Sequence, residues 1–247
     1  MMKPILTVML AMLSISLFAQ DKEDKFPASA TELYLDVPVV TPGSNNEPPS
    51  DAIVLFDGKN LSKWKKETKD SLPGWKIENG ELVVVPKKGG IATKQSFGDI
   101  QLHIEWMSPV MKGETGQGYA NSGIFFMGKY ELQVLNSHGN ETYSNGQAGS
   151  IYKQYAPLVN ASRPPGTWQE YDVIFTAPKF SEKGTLVSPA RITVFHNGVL
   201  IQNNVSIWGN TSFKGLPKYT KHDEKLPLAL QDHTDPVRYR NIWVREL

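Results

Sequence analysis

Ile100-Gln-Leu-His-Ile-Glu-Trp-Met107 decides the fold class of this chain. Apolar Leu102, Ile104 and Trp106 alternate with polar Gln101, His103 and Glu105, which gives an extended strand one apolar and one polar face. A helix would instead space its apolar residues three and four apart. Tyr130–Leu135 repeats the alternation, with Glu131 and Gln133 on one face and Leu132 and Val134 on the other. Ala52–Phe56, Gly123–Met127, Trp168–Thr176, Ala190–His196 and Asn241–Glu246 are further strand-like runs. Turn chemistry joins some of them. Glu78-Asn79-Gly80 predicts a hairpin between Gly74–Ile77 and Glu81–Val85, and Asn197-Gly198 predicts a type I′ turn into Val199–Gln202. Helical periodicity is confined to the N-terminal segment, and Asn60–Lys65 is the best candidate for a short turn of helix. The pattern predicts an all-β, antiparallel sandwich.

Composition bounds the function. With 247 residues, 40% hydrophobic, the chain can form one large β domain or two small ones. A formal net charge of +1 without basic blocks leaves no electrostatic footprint for nucleic acid. The absence of cysteine excludes disulfides, thiolate metal sites and a lipidated N-terminal cysteine. Met1–Ala19 reads as a secretory signal peptide: Lys3 supplies the charge, Ile5–Phe18 the apolar stretch, and Leu17-Phe18-Ala19 a cleavage site. That stretch is short for a membrane span, so an exported, periplasmic protein without stable membrane insertion is expected. Lacking disulfides, such a protein depends on a substantial core. Residues 20–50 carry Pro27, Pro38, Pro42, Pro48 and Pro49 and read as an extended arm or linker, with Leu33–Val40 its only strand-like piece. Residues 51–247 form the domain. Long segments interrupt its strands at Met107–Asn121, Ser137–Ser150, Ala156–Gly166 and Gly209–Lys225. Loops of that length usually carry function or are disordered. Their glycines and Tyr119, Tyr143 and Tyr219 favour a binding rim.

Four groups of residues could carry chemistry. Glu131 and Gln133 share the polar face of their strand, which is either an ordinary solvated face or a ligand-facing sheet surface. His103 and Glu105, read as belonging to a neighbouring strand, would broaden it. Asn121 and Ser122 stand at a strand start, where they could cap a turn or bond a ligand. Lys153 lies among aromatic residues, either snorkelling to solvent or partly desolvated for acid–base work. The tail Leu228–Leu247 places Gln231, Asp232 and His233 where a strand ends. His233 is a natural acid or base near neutral pH. Alternation puts Gln231 and His233 on one face and Asp232 on the other. Asp232 and Asp235 could orient the histidine, or pair with Arg238 and Arg240 in a purely structural corner. No zinc motif, phosphate loop or nucleophile elbow is present, and no spacing specifies a metal.

Nine segments in register carry a resemblance. Leu55-Phe-Asp-Gly-Lys-Asn-Leu61 with Trp64, Trp75–Leu82, Leu102–Trp106, Asn121–Phe126, Tyr130–Leu135, Ser150–Tyr152, Pro164–Trp168, Thr193–Leu200 and Leu230–Arg240 resemble the 3-keto-disaccharide hydrolase family. The match runs from about Ala52 to Leu247, with Thr234 standing where glycine is common. The resemblance implies a concanavalin-like jelly roll acting on glycosides already oxidised to a ketone at sugar carbon 3. A separate dehydrogenase would have to supply that ketone, and no cofactor is implied. Under this reading His233 and Glu131 share the acid–base roles in either order. Lys153 or Gln133 sits near the ketone or enolate oxygen, and Asn121 and Gln231 hold sugar hydroxyls. Glu105 and Asp232 are further substrate-binding candidates, and Tyr119 and Tyr152 are candidates for stacking. Two other readings stay open: a non-catalytic carbohydrate-binding module, and a conventional glycosidase using Glu105 and Glu131 as its two carboxylates.

Overall fold

The computed structural model describes residues 26–44 and 47–247. The proposed signal peptide lies outside the described residues. The chain divides into two units, Met1–Val39 and Val40–Leu247. In the first, a 3-10 turn at Ala28–Thr31 is the one regular element among the described residues; the segment Leu33–Val40, expected to be strand-like, forms no strand. Among the described residues, every strand belongs to the second unit. Among the described residues no helix is long and apolar enough to cross a membrane.

The first strands are β1 (Ile53–Phe56), β2 (Trp64–Lys66), β3 (Lys76–Glu78), β4 (Glu81–Val83) and β5 (Ile91–Phe97). Next come β6 (Ile100–Met107), β7 (Ser122–Phe126), β8 (Tyr130–Val134), β9 (Trp168–Thr176) and β10 (Lys179–Phe180). The last are β11 (Leu186–Ser188), β12 (Arg191–His196), β13 (Val199–Ser206), β14 (Leu226–Leu230) and β15 (Arg238–Glu246). One large sheet runs β13-β12-β9-β6-β15-β4-β3, with β1 also paired to β15; the second runs β2-β5-β14-β7-β8, and β10 and β11 pair as a separate ribbon. Pairing within each is antiparallel throughout, and the two sheets form the expected jelly-roll sandwich. The β3–β4 and β12–β13 hairpins turn on Asn79-Gly80 and Asn197-Gly198, all four at positive φ as a type I′ turn requires.

Alternation builds the core. Leu102, Ile104 and Trp106 of β6 and Tyr171, Val173 and Phe175 of β9 face inward, against Ile124, Phe126, Leu132 and Val134 of the opposite sheet. Phe126 stacks on Phe175 at 4.7 Å between centroids. Two tyrosines cross the interior with their hydroxyls paired: Tyr171 donates to Gln133 O at 3.0 Å, and Tyr239 donates to Ser122 Oγ at 2.7 Å. Both reach the backs of the strands that carry the polar face.

The helical turn expected at Asn60–Lys65 does not form. Asn60 caps a tight turn through Ser62 N–H, and Trp64 opens β2 with its indole buried and Nε1 donating to Leu55 O at 2.8 Å. Burying that ring outweighs local helix preference.

Candidate active site

Strands β7 and β8 pair Gly123 with Gln133 and Phe125 with Glu131. With Ile124, Leu132 and Val134 committed to the core, Glu131 and Gln133 must point out of the sandwich. They do not reach solvent: Glu131 is 5% exposed and Gln133 1%. Gly123 makes room for them. A Cβ there would lie 2.6 Å from Glu131 Oε1, so only glycine lets the carboxyl lie across β7. The far edge of β8 is covered too. Gly149 N donates to Gln133 O, Gln133 N to Ser150 O and Tyr152 N to Glu131 O, laying the segment 149–152 along the strand.

The tail arrives from the other side. Gln231 N donates to Gly123 O at 3.0 Å, and Ser122 Oγ donates to Gln231 O at 2.7 Å. These bonds hold the end of β14 beside β7. The loop after β13 closes the site: Thr211 N donates to Lys129 O, and Thr211 Oγ1 accepts from Glu131 N at 3.0 Å. The result is a cavity of about 220 Å³ lined by Asn121, Glu131, Gln133, Tyr152, Gln231 and His233, with Thr211 and Phe213 at its edge.

Its electrostatics follow from burial. Glu131 has no cation beside it, and burial alone pushes its carboxyl up to about 8. The Gln133 amide is best satisfied with its NH2 facing Ser122 O at 3.1 Å and Glu131 Oε1 at 3.2 Å. Gln231 Oε1 is buried without a donor. Burial raises the Tyr152 hydroxyl as well, aided by its 2.7 Å bond to Tyr143. Asp235 is buried; its Oδ2 accepts Asn121 N–H at 2.7 Å. Burial raises its carboxyl, offset in part by that bond and by the nearness of His233. Among the described residues no group of three or more His, Asp or Glu side chains is arranged to hold a metal ion. A mostly protonated carboxyl, an exposed imidazole, three amides and a phenol converge on one small volume. That set can take a proton, give one and hold sugar hydroxyls.

A family model described as a 3-keto-alpha-glucoside-1,2-lyase-like domain matches residues 51–245. The chain belongs to this family. A curated 3-keto-disaccharide hydrolase from Bacteroides thetaiotaomicron is 26% identical over 240 residues, covering 79% of this chain and 78% of that one. A crystal structure of a candidate glycosyl hydrolase from Parabacteroides distasonis is 46% identical, covers 91% of this chain and 98% of its own, and superposes with a TM-score of 0.85. A second such structure from that organism, 19% identical over 80% of this chain and 94% of its own, has a TM-score of 0.57 and shares the fold. Membership in the 3-keto-alpha-glucoside-1,2-lyase-like family places the chain among glycoside hydrolases or lyases.

Six of the nine site residues expected from sequence line the cavity: Asn121, Glu131, Gln133, Tyr152, Gln231 and His233. Three do not, and Tyr119 also stands apart. Glu105 belongs to β6, in the opposite sheet from β8, so the polar face of Glu131 and Gln133 does not continue through His103 and Glu105. Glu105 instead accepts from Arg240 Nε at 2.6 Å and Asn241 Nδ2 at 3.0 Å. Burial would raise its carboxyl, but the bonds from His103, Asn241 and Arg240 hold it down at about 2. Burial likewise lowers His103, yet Asp172 and Glu105 hold it up at about 9. This is a structural ion network. Asp232 ties down the turn, accepting Gly89 N–H at 2.9 Å and Thr234 N–H at 2.9 Å. Lys153 sends its ammonium to Phe213 O, outside the lining. Tyr119 packs against the core. The proposed pairing of Arg238 and Arg240 with tail aspartates is absent: Arg238 binds Glu78 and Glu81, and Arg240 binds Glu105. Thr234 takes φ +74°, left-handed backbone that glycine adopts more readily than threonine.

Thr211 and Phe213 were not legible as site residues. Their one sequence signal is the length of the loop that holds them. Separating Glu105 from the cavity has a testable consequence. Glu105→Gln should leave glycoside turnover within about threefold while lowering stability by about 2 kcal/mol, because Arg240 loses its buried carboxylate. Parallel turnover and thermal-unfolding measurements check this. Lost turnover at unchanged stability would revive the pairing of Glu105 with Glu131.

Proposed function

We propose that this protein is an exported enzyme that cleaves 3-keto-glycosides, 3-keto-disaccharides among them, by acid–base elimination. One observation carries the reading: Glu131 of β8, buried and pushed up to about 8, meets His233, from the loop after β14, in a single cavity. Strongly shifted groups in a cleft are what catalytic proton transfer needs. Family membership and the Bacteroides relative support the substrate class, and the signal-like Met1–Ala19 supports export to the periplasm.

A ketone at carbon 3 acidifies the proton on carbon 2. His233 takes that proton, and the C2–H electron pair becomes an enolate shared with the ketone oxygen. The enolate collapses to a C1–C2 double bond as the C1–O bond breaks. Glu131, protonated at neutral pH, gives its proton to the departing oxygen. Water added back across the double bond completes a net hydrolysis. Gln133 is the donor proposed for the enolate oxygen, and Gln231 and Asn121 hold ring hydroxyls. The unpartnered Gln231 Oε1 suits a sugar hydroxyl donor. This route does not need the paired carboxylates of ordinary glycosidases. A separate dehydrogenase would supply the oxidised substrate.

The test is to incubate the protein with a 3-keto-glucoside and with the same glucoside unoxidised, with and without chelator, following products by NMR. The ketone alone should be consumed. Equal cleavage of the unoxidised glucoside would make it a conventional glycosidase, and binding without turnover a carbohydrate-binding module.

A further inference from the structure

We propose that Phe213 is the platform on which the second sugar ring, the leaving group, stacks. The inference rests on the reading of the cavity as a 3-keto-glycoside site and extends it to the aglycone. The argument begins with size. A cavity of about 220 Å³ falls below the roughly 300–1,000 Å³ of pockets that enclose a whole drug-sized ligand. It accommodates the ring undergoing elimination, and the other half of a disaccharide must lie beyond the mouth.

Phe213 stands at that mouth. It lines the cavity, yet is 66% exposed. A large aromatic side chain left in water beside a polar cavity offers a ring face, and the apolar C–H face of a pyranose matches it. The ring is also held in place. Lys153 Nζ donates to Phe213 O at 2.9 Å and lies 4.2 Å from the centroid of its ring, so the ammonium sits over one face while the residue stays largely exposed. Two residues back, Thr211 Oγ1 accepts the N–H of Glu131 itself. The platform is therefore tied at one end to the proton donor and at the other to Lys153, at a fixed offset from the bond to be broken. Lys153 thereby acts as a positioning residue rather than one that meets the substrate.

The readout is a selectivity ratio: kcat/KM for a 3-keto-disaccharide divided by kcat/KM for methyl 3-keto-glucoside, whose leaving group has no ring. Phe213→Ala should lower this ratio about five- to tenfold. Phe213→Tyr, which keeps the ring, should hold it within twofold. Lys153→Met should lower it in the same direction by a smaller factor, mainly through KM, and Lys153→Arg should restore it. A ratio unchanged in Phe213→Ala overturns the platform while leaving the elimination reading intact. If the wild-type protein turns over neither ketone, that reading fails instead. The platform is then judged on dissociation constants for cellobiose and methyl glucoside: a Phe213→Ala loss confined to cellobiose upholds it, and equal losses overturn it.

Discussion

Replacing His233 by alanine, or Glu131 by glutamine, is expected to lower kcat on a 3-keto-glucoside by about 10²–10⁴, the usual worth of a positioned acid or base. The substituted amide would keep the shape and hydrogen-bonding reach of the carboxyl but could not transfer a proton. In the proposed elimination the two residues serve one linked passage of charge, from carbon 2 through the enolate to the leaving oxygen. The double variant should therefore fall little below the worse single one. The pH profile separates the roles. Glu131 must hold its proton to act as the acid, and its carboxyl is pushed up to about 8. In the wild type kcat/KM should therefore decline above about pH 8, and that limb should vanish from the residual activity of Glu131→Gln. Near wild-type turnover in both single variants would sink the assignment.

The second large effect is on stability. Glu131 has an ordinary value of 4.5 when solvated and about 8 in the fold. Below pH 4.5 both states are protonated and burial carries no ionisation cost. Between 4.5 and 8 the folded chain binds a proton that the unfolded chain has released, so stability falls by up to about 1.4 kcal/mol per pH unit. Above 8 both are ionised and the cost levels off at a few kcal/mol. His103, held up at about 9, slopes in the same direction, since its contribution is full below 6.5 and lost as pH rises through 9. The difference between wild type and Glu131→Gln isolates the glutamate. The variant should match wild type near pH 4 and exceed it in denaturant midpoint at pH 9. A variant no more stable than wild type at pH 9 would mean that Glu131 is not buried as an uncompensated acid. Such an exchange of stability for a reactive group is common at active sites.

Much of the architecture can be read from alternation. β6, β8 and β9 each have a polar and an apolar face, and the Asn-Gly turns set two hairpins without long-range information. β5 escapes such a reading because Ile91-Ala-Thr begins with three buried residues in a row and then turns outward, a pattern with no period of two. β2 escapes it because its identity depends on where Trp64 can bury its ring. Within the site, alternation carried past the end of β14 already separates Gln231 and His233, which line the cavity, from Asp232, which does not. Placing Glu105 beside Glu131 comes from treating strands close in sequence as neighbours in a sheet. β6 and β8 lie in opposite layers, and pairing partners are a property of topology that no local pattern carries. Thr211 and Phe213 reach the cavity through a loop whose path is set by distant contacts with Lys129 and Lys153.

The segment laid along β8 has a meaning beyond the cavity. An outermost strand presents unpaired N–H and C=O groups, a ready template for another chain, and proteins must blunt it. Here the backbone of residues 149–152 occupies those groups, so this border of the sheet cannot recruit a second copy by strand addition. For a chain with no cysteine to form a disulfide, the segment that walls the cavity also guards against aggregation.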